Sequence, residues 1–97
     1  MPLYFTLINY TDQGIKDMKG ASGRVAAARK AVEAAGGKFL HYHLTMGQYD
    51  AVAISEAPND ATYASIMLTI AAQGNIRTTT LKGFTEEETF RILDNLP

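Results

Sequence analysis

Cysteine is absent from the 97 residues, so disulfides, thiolate nucleophiles, iron–sulfur clusters and zinc ribbons are excluded, and any metal would need His, Asp or Glu. Proline and glycine are sparse, at 3 and 8 residues, too few for a low-complexity segment. Basic charge is not in surplus either. Lys and Arg number 9 against 10 Asp and Glu, for a net charge of -1, whereas a protein that grips a phosphate backbone carries a clustered basic excess. No stretch approaches the ~20 apolar residues of a membrane span. The opening Met1-Pro2-Leu3-Tyr4 has neither the basic region nor the apolar stretch of a secretory leader. These absences point to a cytoplasmic protein with no nucleic-acid and no membrane partner.

What is present is the composition of a globular chain, 46% hydrophobic and 20% charged. At 10.6 kDa it reads as a single domain spanning residues 1–97, able to bury roughly 60 to 65% of its unfolded surface. One sheet with one layer of helices exhausts such a core. A deep active-site cavity private to one subunit is therefore not expected.

Residues 3–10 are rich in aromatic and branched side chains and end at the turn residues Thr11-Asp12-Gln13-Gly14, which reads as a first strand. Ser22 stands where a helix cap is needed before an alanine-rich run to Ala35, with Val25, Ala28, Val32 and Ala35 on a narrow buried stripe and Gly36-Gly37 as the stop. Lys38–Met46 and Tyr49–Ala57 read as two strands joined by the glycine-first pair Gly47-Gln48, the pattern of a two-residue hairpin. That register puts Thr45 opposite Asp50, His43 opposite Val52, His41 opposite Ile54 and Phe39 opposite Glu56 on one face. After Pro58, Asn59 or Asp60 caps a second helix that ends at Gly74, and the threonine-rich stretch from Asn75 to Phe84 is a fourth strand. Thr85 with Glu88 three residues on is a capping box for a short last helix carrying Phe90, Leu93 and Leu96.

The order β-α-β-β-α-β-α gives an α+β chain. Its first six elements are the ferredoxin-like βαββαβ unit, a four-stranded antiparallel sheet with two helices on one face, followed by an extra C-terminal helix. No strand offers a cleanly polar second side, so the uncovered face needs a cover, and a second copy packing sheet against sheet supplies one. The expectation is a dimeric α+β barrel, a homodimer or higher homo-oligomer.

Four segments, in order, are Asn9-Tyr10-Thr11-Asp12-Gln13-Gly14, Leu44-Thr45-Met46-Gly47-Gln48-Tyr49-Asp50, Glu56-Ala57-Pro58-Asn59-Asp60 and Gly74-Asn75-Ile76-Arg77-Thr78-Thr79-Thr80-Leu81. Together they closely resemble the GYD domain family, named for its Gly-x-Tyr-Asp element. The resemblance covers almost the whole chain and implies a ferredoxin-like fold of the dimeric α+β barrel superfamily. It implies no particular reaction, since barrel relatives include cofactor-poor monooxygenases, isomerases, haem-handling enzymes and ligand-sensing modules. The run His41-Tyr42-His43 departs from the family pattern in its histidines.

Candidate functional residues are few. His41 and His43 alternate along one strand, so their rings share a face about 7 Å apart, a spacing two imidazoles can use on one metal. With Glu56 or Asp50 they would make a facial triad for a divalent ion; the simpler reading is a pair of interface hydrogen-bonders. Asp50 as a general base and Tyr49 as a donor to a bound oxygen compete with a purely local role at the hairpin end. Asn9, Tyr10 and Gln13, at the exit of the first strand, are placed to orient a polar ligand group, and Arg77 is an anion partner or a salt-bridge partner of Glu56 or Asp50. No cofactor is called for.

Three functions follow from these residues. The foremost is a homo-oligomeric module that binds a small molecule or another protein through the barrel between subunits. Second is a cofactor-independent enzyme, monooxygenase-like or isomerase-like, using Tyr49, Asp50 and His43 for proton transfer. Third is divalent-metal binding through His41 and His43.

Overall fold

A computed structural model describes residues 1–97. Strand β1 (Leu3–Tyr10) is followed by a one-turn helix α1 (Asp12–Ile15), a 3₁₀ turn (Met18–Gly20) and helix α2 (Ala21–Ala34). Strands β2 (Lys38–Leu44) and β3 (Ala51–Glu56), helix α3 (Asp60–Ala71), strand β4 (Ile76–Gly83) and helix α4 (Glu86–Asp94) complete the chain. The strands form one sheet in the order β2-β3-β1-β4, and every neighbouring pair is antiparallel. This is the ferredoxin-like arrangement read from the sequence, with the extra helix at its C-terminal end.

Local chemistry explains most boundaries. Asn59 caps α3 by accepting the Thr62 N–H at 2.8 Å, and Thr85 and Glu88 close a reciprocal capping box on α4. Between β1 and α2, where only a broken loop was legible, Thr11 accepts the Gly14 N–H and nucleates α1, while Asp17 does the same for the 3₁₀ turn through Gly20. Gly14 is buried and packs so closely on the Asn75 carbonyl that a Cβ would collide with it. Ser22 does not cap α2. The preceding 3₁₀ turn runs directly into the helix, so the cap position falls on Gly20, with no side-chain bond.

The expected register holds from His41 to Thr45, but the ladder stops short of a two-residue turn, and the register slips at the far end of β2. The β2–β3 ladder ends at Leu44 opposite Ala51, and its last bond runs from the Thr45 N–H to the Asp50 carbonyl, 2.9 Å. Residues 46–49 then cross as a longer loop in which Gly47 has φ 129°. The reason is Asp50, whose N–H donates to the Ile8 carbonyl at 2.8 Å and whose carboxylate accepts the Tyr10 N–H at 2.9 Å, tying it to β1. At the other end Phe39 pairs with Ser55 rather than Glu56, and a bulge lies between Phe39 and His41. The extra residue, Leu40, turns Phe39 away from the histidines and into the core.

The core lies between the helices and one sheet face. Val32 of α2 meets Ile8, Phe39, Ala51, Ala53 and Ile66, and a second cluster joins Tyr4, Ala57 and Tyr63. Tyr4 and Tyr63 stack at 4.2 Å between ring centroids, and the Thr6 and Tyr63 hydroxyls pair at 2.6 Å. Strand alternation therefore directs Tyr4, Thr6, Ile8 and Tyr10 to the helices and Leu3, Phe5, Leu7 and Asn9 to the opposite face. Helix α4 buries none of its residues. The molecule is elongated, 51 × 31 × 17 Å, with a radius of gyration of 14.4 Å where about 13 Å is usual for a compact chain of this length.

Candidate functional site

The open sheet face follows from the register. One row across it reads His43, Val52, Leu7, Thr79, and the next reads His41, Ile54, Phe5, Leu81. Helices α2 and α3 pack on the other face. The middle of the open face is apolar, with Leu81 52% exposed, and its two edges carry the histidines on β2 and Arg77, opposite Asn9, on β4. Three strand spacings, roughly 14 Å, separate those edges, so Arg77 and the histidines do not converge within one chain.

The His41 and His43 rings stack with centroids 5.6 Å apart. They bring two imidazoles and no third donor, because nowhere do three or more His, Cys, Asp or Glu side chains gather to hold a metal ion. A divalent site needs three or four ligands. The carboxylate nearest in sequence, Asp50, is spent on the Tyr10 amide, and Tyr49 contributes its carbonyl to the Thr45 hydroxyl at 2.6 Å.

Gln13 and Tyr10 also serve other places than the open face. The Gln13 amide bonds the Gln73 carbonyl at 2.9 Å and Asn75 Oδ1 at 3.0 Å, pinning α1 to the α3–β4 turn. Tyr10 points to the helix side, where its hydroxyl meets that of Tyr42 at 2.8 Å. This pair sits at a cleft of about 140 Å³ between α2, α3 and the sheet, inside a single chain, which the size of the core had spoken against. The cleft exists because α2 presents small side chains such as Ala28 and Ala31, and buries only Val32. Burial, with the Tyr10 hydrogen bond second, pushes the Tyr42 hydroxyl far above the usual tyrosine range. Sequence reasoning passed over Tyr42 and Arg24. The signal for Tyr42 was its position between two histidines on a strand, which sends it to the opposite face.

The fold and its uncovered face define a class: a ferredoxin-like α+β protein whose sheet offers one side to its own helices and the other to whatever meets it. A family model for the GYD domain matches residues 4–93, and the chain belongs to that family. It is 30% identical over 83 residues to a Thermus thermophilus protein named glutamine synthetase and cystathionine beta-lyase binding protein, across 84% of this chain and 87% of that one. The crystal structure of TTHA0845, also from Thermus thermophilus, superposes with a TM-score of 0.55 at 22% identity, covering 88% of this chain and 95% of the other. That likeness supports the fold. No helix here is long and apolar enough to cross a membrane.

Proposed function

We propose that this chain is a self-associating interaction module: two copies cover each other's open sheet faces, and the assembly binds proteins. The observation that carries this reading is surface area. A compact monomer of this mass exposes about 5,500 Å², whereas this chain exposes 6433 Å². The difference, of order 900 Å², is what each partner contributes to a standard protein interface, about 800 Å². The face has the anatomy to match, with an apolar middle of Phe5, Leu7, Val52, Ile54 and Leu81 and a polar border of His41, His43, Asn9 and Arg77. In a two-fold dimer the same patch meets itself, so the border residues of one copy lie against the other's sheet and form the rim of a shared barrel. The protein-binding name of the Thermus thermophilus relative supports a role in which the assembled surface, rather than a reaction, is the product of the fold.

Charge placed in the apolar middle tests this. In Ile54→Glu combined with Leu81→Glu, neither residue belongs to the helix-side core, so the chain still folds but no longer associates; light scattering coupled to gel filtration then reads one chain mass in place of two. If the double variant keeps the mass of the parent dimer, the open face is not the contact.

A further inference from the structure

We infer that the helix-side cleft is a binding site for a small monocyclic aromatic carboxylate, the ring held between α2 and α3 and the carboxylate at Arg24. This site lies within one chain and does not depend on the association of open faces. Its volume of about 140 Å³ is close to that of an apolar protein cavity of ~150 Å³ that accepts benzene. The walls are mostly hydrophobic, with Ile8, Val25, Ala28, Met67 and Ile70 among them. An apolar body therefore fits, and a flat ring fits the slot between a sheet and two helices better than a long chain does.

Polar groups also line the cleft, Thr6, Thr69, Gln73, Asn75 and Thr78 among them, but one cluster carries a charge. Arg24 and the Tyr10–Tyr42 pair all line the cleft, and the guanidinium is near enough to Tyr42 to pull its pKa down against the effect of burial. In a pair of hydroxyls one O–H is used between them, so the second hydrogen remains for an outside acceptor. Arg24 donates to the Asp17 carbonyl at 2.9 Å, with longer contacts of 3.4 Å to Asp17 Oδ2 and to the Gly14 carbonyl. Three bonds leave two of its five N–H donors, and Asp17, whose side chain is 68% exposed, neutralises the guanidinium only weakly. A cation with donors to spare beside a free hydroxyl hydrogen matches a carboxylate joined to a ring.

Benzoate and toluene, titrated into the full chain and followed by the methyl resonances of Ile8, Val25 and Ile70, separate head from body. Both probes should shift these signals. Arg24→Gln should weaken benzoate at least tenfold and leave toluene unchanged, Tyr42→Phe should weaken benzoate alone by a smaller factor, and Ala28→Leu should exclude both. The open-face double variant should bind benzoate as the parent does; loss of binding there would move the ligand to the face between subunits and overturn the inference. Methyl signals that stay fixed at saturating benzoate, or equal benzoate affinity in the parent and Arg24→Gln, would overturn it as well. Arg24→Gln changes a surface-reaching side chain, so its result stands even where Ala28→Leu fails to fold.

Discussion

Ser55 is fully buried and its hydroxyl has no hydrogen-bond partner. A buried hydroxyl that gave up water and gained nothing costs about 1 to 3 kcal/mol, so Ser55→Ala should leave stability unchanged or raise it by about 1 kcal/mol. Urea denaturation reads the outcome, and a loss larger than about 1 kcal/mol would mean that the hydroxyl is satisfied after all. Tyr4 is the opposite case, a buried hydroxyl with a strong partner: it donates to Asp60 Oδ1 at 2.6 Å. Burial first, and then that hydrogen bond, push its pKa up to about 12 from 10.0. The unfolded chain loses this proton near pH 10, while the folded chain keeps it to about pH 12. The stability that Tyr4 confers is thus complete below about pH 10 and drains away as pH rises toward about 12. Thermal midpoints between about pH 9 and 12 should fall, and should fall less steeply in Tyr4→Phe. An identical slope in the two proteins would show that this tyrosine is not the group being titrated. None of these pairings was legible beforehand: alternation along β1 says which face Tyr4 takes, but not that Asp60, 56 positions away, waits there.

Elements were read more reliably where the signal was local. The capping box of α4, the Asn59 cap and the glycine stop of α2 all depend on residues within four positions of one another, and all are present. The β2 bulge and the longer hairpin loop were not legible, because both are set by a third strand: Asp50 is tied to β1 through Ile8 and Tyr10. The same limit hid the cleft. Ala28 and Val32 showed a narrow stripe, yet the gap that small residues leave depends on how far α3 stands from α2. For α4 the capping box itself makes a prediction. The Glu88 carboxylate is held below its ordinary value of 4.5, chiefly by the Thr85 backbone N–H and then by the Thr85 side chain. A lowered pKa stabilises the folded helix above the unfolded value and ceases to do so as pH falls through the folded one. Below about pH 4.5 α4 should fray at its N-terminus, seen as faster exchange of the Thr85 amide. Glu88→Gln should abolish that acid dependence; exchange that accelerates equally in both would show that the cap is not what fails.

At the scale of the whole molecule, the 46% hydrophobic content exceeds what one helix layer hides. Only 13 of 97 residues are buried, and exposed apolar side chains include Leu81 on the open sheet face, Leu44 and Met46 at the hairpin, Leu68 on α3, and Phe90 and Leu93 on α4, both more than half exposed. Large apolar patches of this kind mark interaction surfaces in proteins that stay dissolved. The candidate residues sort accordingly: His41, His43, Asn9 and Arg77 belong to the border of that face, Tyr10 to the helix-side cleft, and Asp50, Tyr49 and Gln13 to the fabric of the fold. The strands that carry the border residues were legible from the sequence, but nothing in it reveals that the two edges of the sheet stay apart within one chain. Self-association joins these observations into one structure, and sedimentation equilibrium at micromolar concentration measures it directly. A mass of twice the 10.6 kDa chain, or a higher even multiple, is the expected result, and a species of 10.6 kDa at every concentration would contradict it.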